Sequence, residues 1–297
     1  MSAVDALLPD VGSLESALRG VGYLTDQGLA TALFCAARLR QPILLEGEAG
    51  VGKTEAAKAL AAVLDTPLIR LQCYEGIDAG EALYEWNYTR QLLAIRLAEA
   101  RGDQLTDADM FTADYLVERP ILAALRHPGP RPAVLLIDEV DRADDEFEAF
   151  LLEVLAEAAV TIPEIGTQVA VHPPVAILTS NRTRDLHDAL KRRCLYHWID
   201  YPSTERAAEI IRTRVPAAQQ SLAEQVAAAV ARIRTLDVQK QPGIAEAIGW
   251  VEALRVLGFE VLTKDAAALT IGSVAKYRED IGLVTDRSLA WLVGADA

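Results

Sequence analysis

Lysine and arginine are in short supply in this chain: 29 of them stand against 43 aspartates and glutamates in 297 residues, for a formal net charge of −14. A general affinity for nucleic acid or for an anionic membrane needs the opposite balance, so any basic site has to be local. Cysteine is scarcer still. Cys35, Cys73 and Cys194 are far apart, odd in number and form no CxxC pair, which points to neither a disulfide framework nor a zinc site and fits a reducing cytoplasm. No apolar run approaches the roughly eighteen residues that suggest a membrane span. The start, MSAVDALLPDVGSLESALRG, carries acids where a signal peptide would carry bases. The expectation is a soluble, cytoplasmic protein, and with 51% hydrophobic residues it has the material for one large domain or a large one plus a small one.

What is present is an alternation of short apolar runs and helical stretches. A helical stretch over 26–39 leads into the buried strand Ile43-Leu44-Leu45, and a helix opens at the following GKT. PLIRLQ (67–72) reads as a second strand, followed by an irregular segment ending in a helix and by an exposed loop over 101–114. AVLLID (133–138) is a third strand. The helix after it sets Phe147, Phe150, Leu151, Val154 and Leu155 on one face, which leaves Glu146, Glu148, Glu153 and Glu157 mainly facing water. VTI and QVAV suggest a hairpin around Pro-Glu-Ile-Gly, and VAILTSN (175–181) a further strand. After YPST (201–204) the chain turns alanine-rich and helical. The pattern predicts an α/β core over 1–204, built on a parallel sheet, and a small helical lid over 205–297.

Three segments carry chemistry. GEAGVGKT, residues 47–54, is a complete G-x-x-x-x-G-K-[ST] between a strand and a helix. Gly47, Glu48, Ala49, Gly50, Val51 and Gly52 would wrap a phosphate chain with backbone amides, Lys53 would reach the β and γ phosphates, and Thr54 a magnesium ion. LLIDE then delivers Asp138 and Glu139 at the carboxyl end of a strand, the edge where α/β sheets hold ligands. Asp138 suits the metal and Glu139 the general base that activates water. Asn181, at the end of VAILTSN, suits the orientation of that water; an asparagine that merely opens a turn is the alternative.

In this order the parts resemble the AAA+ ATPases and, within them, the MoxR-like group. GEAGVGKTE, LLIDEVDRADDEFEAFLLEVLAEAAVTI, ILTSN and DALKRRCLYHWIDYP are similar to that group's nucleotide-binding loop, metal and base motif, first sensor and arginine-finger segment, over about residues 20–285. The resemblance implies a P-loop fold binding ATP and Mg2+, and a homo-oligomer, a hexameric ring, in which a finger arginine completes a neighbour's site. Arg193 falls in that register with Arg192 as alternate and Lys191 as an interface aid; a basic helix end compensating backbone carbonyls is the competing role. One departure stands out: Glu246 occupies the place of the group's second-sensor arginine, Arg255 lies a turn or more too far along, and turnover would lean on Arg193 and on Arg142.

LQCYEGIDAGEALYEWNYTRQLL and PGIAEAI are most similar to the branch associated with maturation of carbon monoxide dehydrogenase-type molybdenum hydroxylases. That resemblance implies an ATPase that remodels a protein client, with a von Willebrand factor A domain partner, and no nucleic-acid or membrane role. Tyr84, Trp86 and Tyr88 fit either packing or client contact. A nucleic-acid motor, a restriction-type GTPase and a binding module that seldom hydrolyses are the competing readings; Glu139 speaks against the last. Residues 20–24, GVGYL, border the place for a base, yet no motif there separates ATP from GTP.

Overall fold

The computed structural model describes residues 7–295. Its central feature is a five-stranded sheet in the order β2-β5-β8-β1-β9, formed by Ile43–Gly47 (β1), Leu68–Gln72 (β2), Val134–Asp138 (β5), Val175–Ser180 (β8) and Leu195–Ile199 (β9). β1 and β5 each pair in parallel with β8, and β2 with β5. Every residue of β1, β5 and β8 is buried, as expected of central parallel strands covered on both faces. Parallel pairing of β2, β5 and β8 brings the residues that follow them out at one edge, so Asp138, Glu139 and Asn181 emerge on the same side of the sheet.

Local chemistry sets the helix starts. Asp26 accepts the Leu29 amide at 2.8 Å to cap Gln27–Leu39, and Asp144 accepts the Phe147 amide at 2.9 Å to cap Asp145–Glu157. The hairpin expected before Asn181 is present as Ala159–Ile162 (β6) and Gly166–Val169 (β7).

The structure departs from the sequence-based expectation at four places. β9 follows the basic helix Asp188–Arg193 directly, where no strand was expected. The segment between β2 and β5 contains its expected helix, Tyr88–Arg101, and also an unexpected strand pair that flanks it in the chain, Tyr84–Trp86 (β3) antiparallel to Leu116–Glu118 (β4). The supposed loop over 101–114 contains a helical turn, Asp107–Met110, whose Met110 is buried and accepts at its carbonyl a hydrogen bond from the Gln91 side chain at 2.7 Å. Finally, Glu148 does not face water. It is 0% exposed, paired with the Arg184 guanidinium, and accepts the His187 amide at 2.8 Å. Helical periodicity misplaces it because a buried carboxylate is tolerated only where a distant cation and donor meet it.

The described chain forms two compact units. One comprises residues up to Val21, Thr25–Glu46 and Thr54–Trp198; the other takes Gly22–Leu24, Gly47–Lys53 and the chain from Ile199 onward. The first has its core in strand residues such as Leu44, Leu135, Ile137 and Leu178, packed with Phe147, Leu151 and Leu190. The second is centred on Trp250, fully buried, whose indole donates to Thr270 Oγ1 at 2.7 Å and so satisfies the one polar atom that its burial would orphan. Among the described residues no helix is long and apolar enough to cross a membrane.

Candidate functional site

The acidic strand end and Thr54 belong to the first unit. Thr54 Oγ1 lies 3.1 and 3.2 Å from the two carboxylate oxygens of Asp138, although 84 positions separate the residues. Asp138 is buried. It accepts a hydrogen bond from Thr179 Oγ1 at 2.5 Å and forms an ion pair with Arg70 Nη2 at 2.6 Å. One hydroxyl and one carboxylate form a hard oxygen pair that fits Mg2+, an ion that keeps most of its water and takes few protein ligands.

Glu139 is held from several sides. Its backbone is left-handed, φ 56° and ψ 50°, a conformation that costs a residue with a Cβ and that recurs at functional sites. Its amide donates to Thr179 Oγ1 at 2.9 Å. At the carboxylate, Gln72 Nε2 donates at 3.1 Å, Asn181 Nδ2 at 3.5 Å, and Arg142 Nε forms an ion pair at 2.8 Å. Asn181 is thus brought to Glu139, with its backbone fixed in turn by buried Asp141, which accepts the Asn181 amide at 3.2 Å and the Thr183 amide at 2.8 Å. The negative potential registers on a bystander: burial first, then Asp138, Asp141 and Glu139, push the Cys73 thiol up to about 12, so it stays protonated and unreactive.

Arg70, Gln72, Asp141 and Thr179 were not singled out from the sequence. A signal for the first two was there: in LIRLQ they alternate with apolar residues on one face of a strand. Arg70 has a testable consequence. Its pair with Asp138 has to give way when a metal approaches that carboxylate, and Arg70 is 49% exposed, so the contact is a modest one. Arg70→Ala is expected to lower the Mg2+ concentration giving half-maximal nucleotide-dependent metal binding by about 2- to 5-fold. Titration with Mn2+ followed by electron paramagnetic resonance measures it, and an unchanged or weakened affinity contradicts it.

The phosphate loop belongs to the second unit. Lys53 is buried, with Nζ donating to the Gly47 and Glu48 carbonyls at 2.7 and 2.8 Å. Tyr23, from the GVGYL stretch, donates its hydroxyl to the Gly52 carbonyl at 3.4 Å. Glu246 stands in the first turn of the helix Ile244–Val256 and accepts the Gly243 amide at 3.0 Å.

The basic helix Asp188–Arg193 is positioned by the buried Glu148, which holds His187 at its N-terminus. Arg192 and Arg193 are exposed, and Arg193 Nη1 donates to the Leu152 carbonyl at 3.0 Å. Lys191 lies 3.8 Å from Asp185. Tyr84 and Trp86 pack edge to face, and Trp86 does so again with Phe111; Tyr88 is 66% exposed.

The family model described as AAA domain (dynein-related subfamily) matches residues 42–194, just over half of the 297 residues. This chain belongs to that family. The match runs from the residue before β1 to the end of the basic helix, and with it the AAA+ P-loop fold and its nucleotide-binding character are established. Uncharacterized proteins from Staphylococcus haemolyticus and Staphylococcus aureus (strain COL) are each 26% identical over 231 residues, 76% of this chain and 78% of theirs. Among solved structures, the Thermotoga maritima RuvB Holliday junction branch migration motor is 18% identical with a TM-score of 0.47, and this AAA chain spans 66% of its length. A proline-to-glycine mutant of the same RuvB gives 19% identity and a TM-score of 0.50 over 82% of this chain and 67% of that one, a likeness of fold.

Proposed function

We propose that the protein is an ATPase that hydrolyses ATP to ADP and phosphate and uses the energy to remodel a protein client. The observation that carries this reading is the convergence of Thr54, Asp138, Glu139 and Asn181 at one edge of the sheet. A phosphate loop alone would serve a binding module; a second carboxylate beside the metal ligand, in reach of a polar orienting side chain, is what hydrolysis requires. Thr54 and Asp138 would hold Mg2+, which when bound neutralises charge on the phosphates. Glu139 takes a proton from the attacking water at its carboxylate and Asn181 orients that water.

The finer reading is a homo-oligomeric, hexameric ring in the cytoplasm, with Arg193, and Arg192 as alternate, reaching the neighbouring subunit's nucleotide. It is a chaperone for maturation of a molybdenum hydroxylase of the carbon monoxide dehydrogenase type, working with a von Willebrand factor A domain partner. What supports a protein client is the helix Tyr88–Arg101, which leaves Tyr88, Leu92, Leu93 and Leu97 exposed on an insertion outside the main sheet, a surface that suits apolar contact with another protein. The net charge of −14 counts against a nucleic-acid motor.

The first test is calorimetric titration with ATP of the wild type and of Lys53→Ala. Losing the ammonium that meets the phosphates is expected to weaken ATP by about 100-fold, the scale of hydrogen bonds to charged groups. Equal affinities in the two proteins would remove the phosphate-loop reading.

A further inference from the structure

The loop Gly47–Lys53 is closely covered by the start of the helix Ile244–Val256. The Ile244 amide donates to the Gly50 carbonyl at 3.0 Å. A Cβ on Gly243 would fall 2.7 Å from Gly50 Cα and 2.8 Å from the Ala49 carbonyl oxygen, so only glycine permits the approach. Contact at this distance carries a carboxylate with it: Glu246 Oε2 would lie 2.8 Å from a Cβ on Gly50. The loop adds Glu48. Two carboxylates beside a loop built for a polyanion oppose its binding, and Lys53 supplies one cation against them.

Arg234 supplies another. Its Nε donates to the Pro242 carbonyl at 2.7 Å, one residue before the glycine that meets the loop, and its guanidinium lies over the Tyr201 ring, 4.0 Å from the centroid. That stacking fixes the plane of the fork. Burial lowers the Arg234 pKa, opposed by Tyr201 and Glu246; burial, Glu48 and Glu246 raise that of the Tyr201 phenol, while Arg234 lowers it. Glu48, Tyr201, Arg234 and Glu246 therefore sense one another around the loop. Arg234 Nη2 is buried and has no hydrogen-bond partner. A buried donor left without an acceptor is rare and calls for a reason, and a guanidinium with an unused donor has the charge and geometry to serve an oxyanion.

We infer that Arg234 is a nucleotide-binding residue whose free Nη2 donates to a phosphate oxygen of ATP held on the loop Gly47–Lys53, with Tyr201 setting its orientation. The inference rests on the ATPase reading and deepens it, giving the lid a cation although Glu246 stands at the start of the helix that covers the loop. Arg234 and Lys53 together offset the repulsion that Glu48 and Glu246 exert on the phosphates, and adenosine, which carries no phosphate, gains nothing from the contact.

The test compares wild type, Arg234→Ala and Arg234→Lys, with ATP measured by calorimetry and adenosine by ligand-observed nuclear magnetic resonance. Arg234→Ala is expected to weaken ATP by about 10- to 100-fold and leave adenosine unchanged, and Arg234→Lys to recover part of the loss because it returns the charge without the fork. Undiminished ATP affinity in folded Arg234→Ala overturns the inference, and so does an equal loss for ATP and adenosine, the mark of a support role through Pro242. If Arg234→Ala lacks the wild-type melting transition, Arg234→Gln, neutral yet still a donor, decides by the same criteria. A wild type that fails to bind ATP overturns the ATPase reading and this one together. ATP binding lost in Lys53→Ala and kept in Arg234→Ala overturns this one alone.

Discussion

Glu139→Gln is expected to bind ATP as the wild type does and to release phosphate about 10²- to 10⁴-fold more slowly, the usual contribution of a general base. The substitution is nearly isosteric and keeps an acceptor for the amide of Gln72, which donates to Glu139 at 3.1 Å, so the strained backbone at φ 56° has no reason to relax. What it removes is the capacity to accept a proton. It also removes the charge that pairs with Arg142 at 2.8 Å, and because Arg142 is 55% exposed at its side chain, water replaces that partner at little cost. Single-turnover phosphate release beside equilibrium ATP binding separates the two effects. Normal hydrolysis in Glu139→Gln would dismiss Glu139 as the base, and a parallel loss of binding would make it a structural residue instead.

Arg193→Ala is expected to lower ATP turnover by about 10³-fold or more, the range of an arginine finger, with Arg192→Ala affecting it less. The Arg193 guanidinium donates to the Leu152 carbonyl at 3.0 Å, so on the finger reading it exchanges that bond for a neighbour's phosphate. The decisive measurement is ATP hydrolysis by a fixed amount of Lys53→Ala protein mixed with increasing Arg193→Ala protein, each inactive alone. Recovered activity places Arg193 across a subunit interface, since only a mixed assembly sets an intact phosphate loop beside an intact finger. No recovery from co-assembled, folded proteins assigns the arginine to its own chain, where the Leu152 contact would be its whole role, and the ring reading loses its main mechanistic support.

Much of this site is written in short, contiguous patterns. The phosphate loop is legible because a backbone wrapped around phosphates needs its glycines at fixed spacing, and Asp138 because an uninterrupted apolar run has to be a buried strand and therefore names its own carboxyl end. Glu148 and Arg70 were not legible for the opposite reason. Each is a charged residue on an amphipathic element, where the default place is water, and its partner lies far away in the chain: Arg184 and His187 draw Glu148 into the interior, and Asp138 pairs with the exposed Arg70.

The sequence alone determined the class of fold, the strands β1, β2, β5 and β8 with the hairpin between β5 and β8, and the chemical type of each motif, because hydrophobic period and glycine placement are local constraints that the backbone obeys wherever it folds. Only the tertiary structure decided the lateral order β2-β5-β8-β1-β9, the packing of Gly243 against Gly50, and the meeting of Arg234 with Tyr201 and of Gln72 with Glu139. Those are pairings between residues far apart in the chain, selected by close packing and by the partners that buried polar groups take, and no short window of sequence contains both members.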